Sequence, residues 1–305
     1  MFICWSFSTF SDKDCTPGIT DVAFFNPTGC DTDQWAAVAK DAGMNYILFL
    51  TKHGDGFCLW DTDTTDRKVT NSPLGRDVLA EVRQSCDRHG LKLALYFCDG
   101  DWTWPGAVDG GTSWPGGGDP ESVKGYNPEA KKAQLRELLT RYGPVEFLWF
   151  DAAAGTGGLD HTATAAFVKS LQPGCFVGFN HGEPAGDLRL GEMGRPTPLD
   201  DMSGAGVGAK QKEAWDYAGY LAAEFTMPIL AGRAAGRWFY TNPDDEDKAM
   251  PAEEIYALYT EAVKVRNLFS LCIGPDRTGR LRAIDVRTLR EVGRIIRGVA
   301  EDSPL

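Results

Sequence analysis

The feature that most limits what this chain can fold into is a repeated unit: a short, almost wholly apolar run followed by a segment with helical spacing. "MNYILFLT" (44–51) precedes "GRDVLAEVRQSCDRHG" (75–90), "LKLALYFC" (91–98) precedes "PEAKKAQLRELLTRYG" (128–143), and "VEFLWFD" (145–151) precedes "HTATAAFVKSLQPG" (161–174). A strand that is apolar on both faces must be covered on both, and such runs alternating with helices mean a parallel sheet. "FICWSF" opens the series. "DTDQWAAVAKDAG" is a helix with Asp31 or Thr32 as N-cap and Gly43 at its C-terminal end. "CFVGFN" and "NLFSLCIG" read as further strands, and "AEEIYALYTEAVKV" and "DVRTLREVGRIIRGVA" as further helices. About eight such units in one domain predict an α/β fold of the TIM-like (β/α)8 barrel type rather than an open doubly wound sheet. No GxGxxG follows the first strand and no GxxxxGK[ST] occurs, which removes the usual nucleotide signatures of open sheets. The stretch from Gly182 to Thr226 is irregular and Gly-rich, so the barrel is expected to be imperfect in its second half. No linker divides residues 1–305, which read as one catalytic barrel domain.

Composition excludes several classes of function. The 305 residues are 43% hydrophobic, enough for one large core. Against 31 basic residues stand 43 acidic ones, a net charge of -12. Such a surface repels phosphate backbones and anionic membranes, so neither nucleic acid nor a membrane is an expected partner. No apolar run approaches the roughly 18 residues of a membrane span. The eight cysteines form no CxxC pair, and several lie in strand-like runs where a free thiol behaves as a small buried hydrophobe. Reduced thiols and an N-terminus without the marks of a signal peptide favour a cytoplasmic location, with export open to a chain whose signal has been trimmed. Only four histidines occur, and none forms an HExxH or paired-His motif, so neither a metal nor another cofactor is expected.

Polar groups recur where these strands end. Asp151 closes "VEFLWFD", His53 and Asp55 follow "YILFLT", Asp99 and Asp101 follow "LALYFC", and Asn180 closes "CFVGFN". In a parallel barrel those ends face the active-site mouth. One such Asp could equally be a helix N-cap; polar residues after strand upon strand point to a lined pocket. Trp5, Trp60, Trp102, Trp104, Trp114, Trp149 and Trp238 lie in or beside the same segments. Any one of them could be core packing, but indole faces stack on the C–H faces of sugars and their N–H groups donate to hydroxyls. Carboxylates, Trp and His in one acidic mouth read as carbohydrate chemistry. The Gly/Pro/Trp-rich stretch from Asp99 to Tyr126 is too long for a mere connector.

At this point the chain resembles a known family, the retaining α-L-fucosidases of glycoside hydrolase family 29. The resemblance is carried by "FNP", "DTDQWAAVAKDAG", "KHGDGFCLW", "NSPLGRDVLAE", "QLRELLTRYGPVEFLWFDAAAG", "WFYTNPDDED" and "RNLFSLCIGPDRTG", which together span most of the sequence. It implies a catalytic barrel and double displacement through a glycosyl-enzyme. Asp151, at the place of the Asp in WFDG, would be the nucleophile. Glu192 would be the acid/base, because "GDLRLGE" (186–192) fits the family's GD-x-x-x-x-E spacing; Glu224 in "AAEFTMP" is the rival. His53 matches a histidine that binds a sugar hydroxyl. Trp149, Trp60 and Tyr96 match positions near the bound sugar, Trp238 begins a pocket-wall motif, and Trp5 sits in the opening FIHWG-like motif. Asp55 is expected to cap or bridge its loop.

Three departures from the family pattern stand out. Cys4 replaces a sugar-contacting His, Gly54 replaces the second His of KHHDGF and leaves a gap, and Ala152 replaces the Gly after the nucleophile. A lost hydrogen bond to a sugar hydroxyl is worth about 0.5–1.5 kcal/mol. Three readings follow: an enzyme cleaving terminal α-L-fucosyl residues from a glycan or oligosaccharide, a retaining glycosidase for a different or substituted sugar, and a barrel that binds sugar without cleaving it. Oligomeric state is not legible in the sequence.

Overall fold

The computed structural model describes residues 1–11, 13–16, 19–106, 125–152, 156–210, 212–230, 238–240 and 242–299. Trp114 and most of the long Gly/Pro/Trp stretch lie outside the described residues. Eight strands close into a barrel in sequence order: β1 (Phe2–Ile3), β2 (Tyr46–Lys52), β3 (Lys92–Cys98), β4 (Phe147–Asp151), β5 (Phe176–Phe179), β6 (Leu188–Arg189), β7 (Ala222–Pro228) and β8 (Asn267–Ile273). Every neighbouring pair is parallel. The helices are α1 (Thr32–Asp41), α2 (Val78–His89), α3 (Pro128–Arg141), α4 (His161–Leu171), α5 (Lys212–Trp215), α6 (Ala252–Val265) and α7 (Ala283–Arg297). No described helix is long and apolar enough to cross a membrane.

Local chemistry explains the boundaries. Asp31, Asp77, Asn127 and Asp160 each accept the N–H of the residue three positions on, satisfying a donor that has no intrahelical partner at the start of α1, α2, α3 and α4. Gly90 ends α2 at φ 63°, a conformation that costs glycine no Cβ clash. The strands are buried almost without break, β4 on all five residues and β3 on six of seven, as parallel strands under helices must be.

The second half is thinner, for a definite reason. Among the described residues no α-helix joins β5 to β6, and only the four-residue α5 stands between β6 and β7. The outer wall there is left bare, with Phe176, Leu221, Tyr259 and Val263 exposed. β6 and all but the last two residues of β7 fall in the stretch read as irregular. The pattern of β7 is obscured by Glu224, a charged residue type that faces inward and is almost wholly buried. "FICWSF" is a strand only over Phe2–Ile3, after which Phe7–Phe10 form a 3-10 turn.

Candidate active site

Side-chain alternation along β4 sends Trp149 and Asp151 to the same face, and the register sets Tyr96 opposite Trp149 and Cys98 opposite Asp151. The Tyr96 and Trp149 rings therefore stack, with centroids 5.5 Å apart and planes 19° apart. Tyr96 also reaches up the barrel to donate its hydroxyl to Asp151 Oδ2 at 2.5 Å. Asp151 is not a helix cap: α4 begins ten residues later and is capped by Asp160. Ala152, just after it, sits at φ 50°, a left-handed conformation that residues with a Cβ avoid. Strain of this kind persists where surrounding structure imposes it.

Two further strand ends complete the constellation. Asn180, fully buried after β5, donates Nδ2 to Asp151 Oδ1 at 2.9 Å and to Glu192 Oε2 at 2.6 Å. Glu192 continues the line of β6 and pairs in a parallel bridge with Thr226 of β7. One amide thus ties both carboxyls together. His181 adds a third group, its Nε2 3.3 Å from Asp151 Oδ1. One ligand atom from each of Asp151, His181 and Glu192 falls within 4.8 Å of the others. By residue type this trio could hold a cation. Asn180, however, presents N–H groups rather than lone pairs between the carboxylates, an arrangement suited to carboxylate hydrogen bonding and proton transfer.

The electrostatics separate the two carboxyls. Burial opposes the charge on Asp151, yet His181, Asn180 and Tyr96 outweigh it and hold this carboxyl well below the usual range. Glu192 goes the other way: burial, reinforced by the Asp151 charge, pushes it up to about 7, with His181 and Asn180 partly opposing. A permanently ionised carboxylate beside one that holds its proton is the division that acid/base-assisted displacement needs.

Asp151 and Glu192 line one open cleft. Of the residues expected from sequence, Asp151, Glu192, His53, Trp149, Tyr96, Cys4 and Trp238 all border it. Asp14, Cys15 and Phe239 border it too; Phe239 belongs to the pocket-wall motif that Trp238 begins, whereas Asp14 and Cys15 lie in a stretch with no strand or helix period, where nothing marked them out. Phe239 packs edge-on against the His53 ring at 5.5 Å. His53 Nδ1 and Asn180 Oδ1 are buried without a hydrogen-bond partner, polar atoms able to take a hydroxyl.

Three expectations are corrected. Trp60 and Trp5 do not border the cleft. Trp60 is fully buried and donates Nε1 to Glu137 Oε2 at 2.8 Å. Trp5 donates Nε1 to the Asp276 carbonyl at 3.0 Å, with its ring edge-on to Phe25 and Trp35. Each indole N–H must be satisfied when buried, and each finds a protein partner, Trp60 on α3 and Trp5 in the loop after β8. Glu224 lies behind the cleft, accepting the Trp149 Nε1–H at 3.1 Å; burial pushes its carboxyl up to about 7. It holds the Trp149 indole and is not among the residues that border the cleft. The carboxylates after β3 are likewise taken up by structure: Asp99 by Lys131 at 2.9 Å and Asp101 by Lys52 at 2.8 Å, all four buried. Asp55 bridges its loop, accepting from the Thr16 hydroxyl and the Phe57 N–H.

Gly54 leaves no gap. A Cβ built on it would lie 2.9 Å from the Trp102 ring, so the indole already fills the space where a side chain at position 54 would begin. Trp102 in turn stands edge-on to His53, with centroids 6.2 Å apart. Gly54→Ala is therefore expected to destabilise the fold by about 1–3 kcal/mol through overpacking, read as a lowered denaturant midpoint with unchanged slope. Cys4 borders the cleft with its Sγ 3.0 Å from Cys272 Sγ, both thiols free. Burial, then Cys272, raises the Cys4 thiol well above its ordinary range, leaving it a neutral and weak hydrogen-bond donor.

The comparisons with known proteins agree with this arrangement. The Alpha-L-fucosidase family profile matches residues 19–301. Alpha-L-fucosidase 1 of Arabidopsis thaliana is 28% identical over 318 residues, covering 95% of this chain and 56% of the plant protein. A putative alpha-L-fucosidase 1 of Oryza sativa subsp. japonica is also 28% identical, with 95% and 55% covered. The structure of alpha-L-fucosidase isoenzyme 1 from Paenibacillus thiaminolyticus superposes with a TM-score of 0.74 at 27% identity, over 97% of this chain and 72% of that one. The chain thus spans little more than half the length of the two plant relatives. A superposition over nearly the whole chain, and a family match across nearly its whole length, lead to one conclusion: the chain belongs to the alpha-L-fucosidase family.

Proposed function

We propose that this protein is a retaining α-L-fucosidase, one catalytic barrel domain that removes terminal α-L-fucosyl residues from a glycan or oligosaccharide. The observation that carries this reading is the shared Asn180 amide: it holds one oxygen of Asp151 and one of Glu192 within 4.8 Å of each other. Retaining glycosidases need their two carboxyls about 5–5.5 Å apart, too close for a water to stand between acid and base as inversion requires. Asp151 attacks the anomeric carbon while Glu192 gives its proton to the departing oxygen. Glu192, now a carboxylate, takes a proton from water, whose oxygen attacks the same carbon and releases Asp151. His53, Trp149, Tyr96, Cys4 and Trp238 would hold the sugar. The direct test is hydrolysis of an aryl α-L-fucoside followed by NMR, where α-L-fucose appearing first supports the reading and β-L-fucose appearing first overturns it.

A pH profile follows from the two carboxyls. Asp151 stays ionised throughout the neutral range, so it does not limit the rate there. Glu192 must be protonated for the first step, and its carboxyl sits at about 7. On a fucosyl disaccharide, kcat/KM is expected to be flat below about pH 6 and to fall about tenfold per unit above about pH 8. A rate that instead rises through pH 7 would assign the acid elsewhere.

One observation favours a second reading. Cys4 borders the cleft where the family pattern has a sugar-contacting His, which fits a glycosidase for a different or substituted sugar. Turnover of another α-L-glycoside in a panel where the fucoside stays intact would select that reading; binding to every member without turnover would leave a sugar-binding barrel.

A further inference from the structure

We propose that His181 is a positioning residue that keeps one positive charge beside both reacting carboxyls, so that the single negative charge of the pair moves from Asp151 to Glu192 and back against a fixed counter-charge. The inference rests on the roles given to Asp151 and Glu192 above. His181 carries no expectation from the sequence beyond being one of four histidines. Its place is set by backbone: φ is 68°, a left-handed conformation that a residue with a Cβ avoids. The bend is held from behind by the turn Gly206–Lys210, where a Cβ on Gly208 would come within 2.8 Å of the Gly182 nitrogen. This conformation accompanies an Nε2 that lies 3.3 Å from Asp151 Oδ1, with Glu192 inside the same 4.8 Å group.

The charges around it favour the imidazolium. Asp151 faces it from β4, Glu192 from beyond β6, and Glu183 from two residues on; Glu183 is itself 3.5 Å from His161 on α4. The turn packed behind carries Lys210 at its far end, and this charge is not among the leading ones acting on the ring. Burial works against the charge, but the hydrogen bond and charge of Asp151 lead the opposing effects, with Glu192 adding to them when ionised and Glu183 after it, and His181 is lifted above its ordinary value.

The balance of the reaction shows what the charge does. At rest Asp151 is negative, His181 positive and Glu192 neutral. In the first step Asp151 bonds to the anomeric carbon as the bond to the leaving oxygen breaks, and the Glu192 proton passes to that oxygen. The negative charge now resides on Glu192. In the second step Glu192 takes a proton from water, the water oxygen bonds to carbon, and the Asp151–carbon bond breaks. The three groups sum to zero before and after each step, and the His181 proton does not move. A preorganised charge of this kind needs no solvent rearrangement during the reaction.

Two measurements test this. The first follows the His181 ring by 15N NMR through a pH titration, with assignment from His181→Gln. It should titrate above the ordinary value of about 6.5 in the wild type and drop by about one unit or more in Asp151→Asn. Titration below about 6 in the wild type overturns the proposal. The second compares pH profiles of kcat/KM on a fucosyl disaccharide, whose first step needs the Glu192 proton. In His181→Gln that carboxyl loses a neighbouring cation, so the alkaline limb should move up by about one unit. His181→Lys should bring it back toward the wild type. Equal loss of rate in both variants, with an unmoved limb, would mean a merely structural histidine. A wild type that turns over no fucoside would sink the fucosidase reading, and the NMR titration would still decide whether His181 carries the charge.

Discussion

Asp151→Ala is expected to lower turnover of an activated aryl α-L-fucoside by about four orders of magnitude or more. The aryl group leaves with little help from an acid, so this substrate isolates the nucleophile from Glu192. Asp151 is the group in the cleft that is both ionised at neutral pH and aimed from a strand end, held by Tyr96 on one oxygen and by Asn180 and His181 on the other. Alanine removes the proposed nucleophile and leaves the Tyr96 hydroxyl without its acceptor at a site that is already buried. A thermal melt is therefore run beside the rate, and the loss counts only if the variant is folded at the assay temperature. Azide sharpens the test. A small anion in the emptied space attacks from the face where Asp151 stood, so the product is β-L-fucosyl azide. Activity that survives in a folded Asp151→Ala protein would remove this residue from the chemistry.

Glu192→Ala is expected to divide substrates by their leaving groups. A fucoside of a poor leaving group should lose about two to four orders of magnitude, the usual range for general acid catalysis, while attack by Asp151 on an aryl fucoside continues. The glycosyl-enzyme then waits for unassisted water and should accumulate as a burst of aryl alcohol followed by slow turnover. Azide, which needs no base, should relieve the second step and give α-L-fucosyl azide, the opposite anomer from the Asp151 variant. The same experiment on Glu224→Ala distinguishes the two glutamates. Glu224 accepts the Trp149 N–H behind the cleft, so its loss should disturb the sugar wall and raise KM without a leaving-group split and without azide rescue. A split that appears in Glu224→Ala and not in Glu192→Ala would reverse the assignment.

The sequence by itself determined the architecture and much of the mouth. Strands such as "LALYFC" and "VEFLWFD" are apolar on both faces because helices must cover them, and that demand is written residue by residue. The same local logic offered Asp31 or Thr32 as the cap of the first helix and put Asp151, His53 and Asn180 where strands run out. The stretch containing β6 and β7 resisted because β6 is two residues long and β7 buries a glutamate, so neither carries an apolar period.

Only the tertiary structure decided which polar groups meet. Trp60 and Trp149 are both indoles beside strand ends, yet one donates to Glu137 on α3 and the other stacks on Tyr96 in the cleft. Nothing local separates them, because the partner of a buried N–H comes from a distant part of the chain. The gap at Gly54 vanished for the same reason, since Trp102 reaches it from the loop after β3. His181 had no visible role until a left-handed turn after β5 accompanied its ring's approach to Asp151. Strand and helix are dictated by periods a few residues long, whereas a pair of carboxyls tied by one amide depends on the register of three strands around a closed barrel.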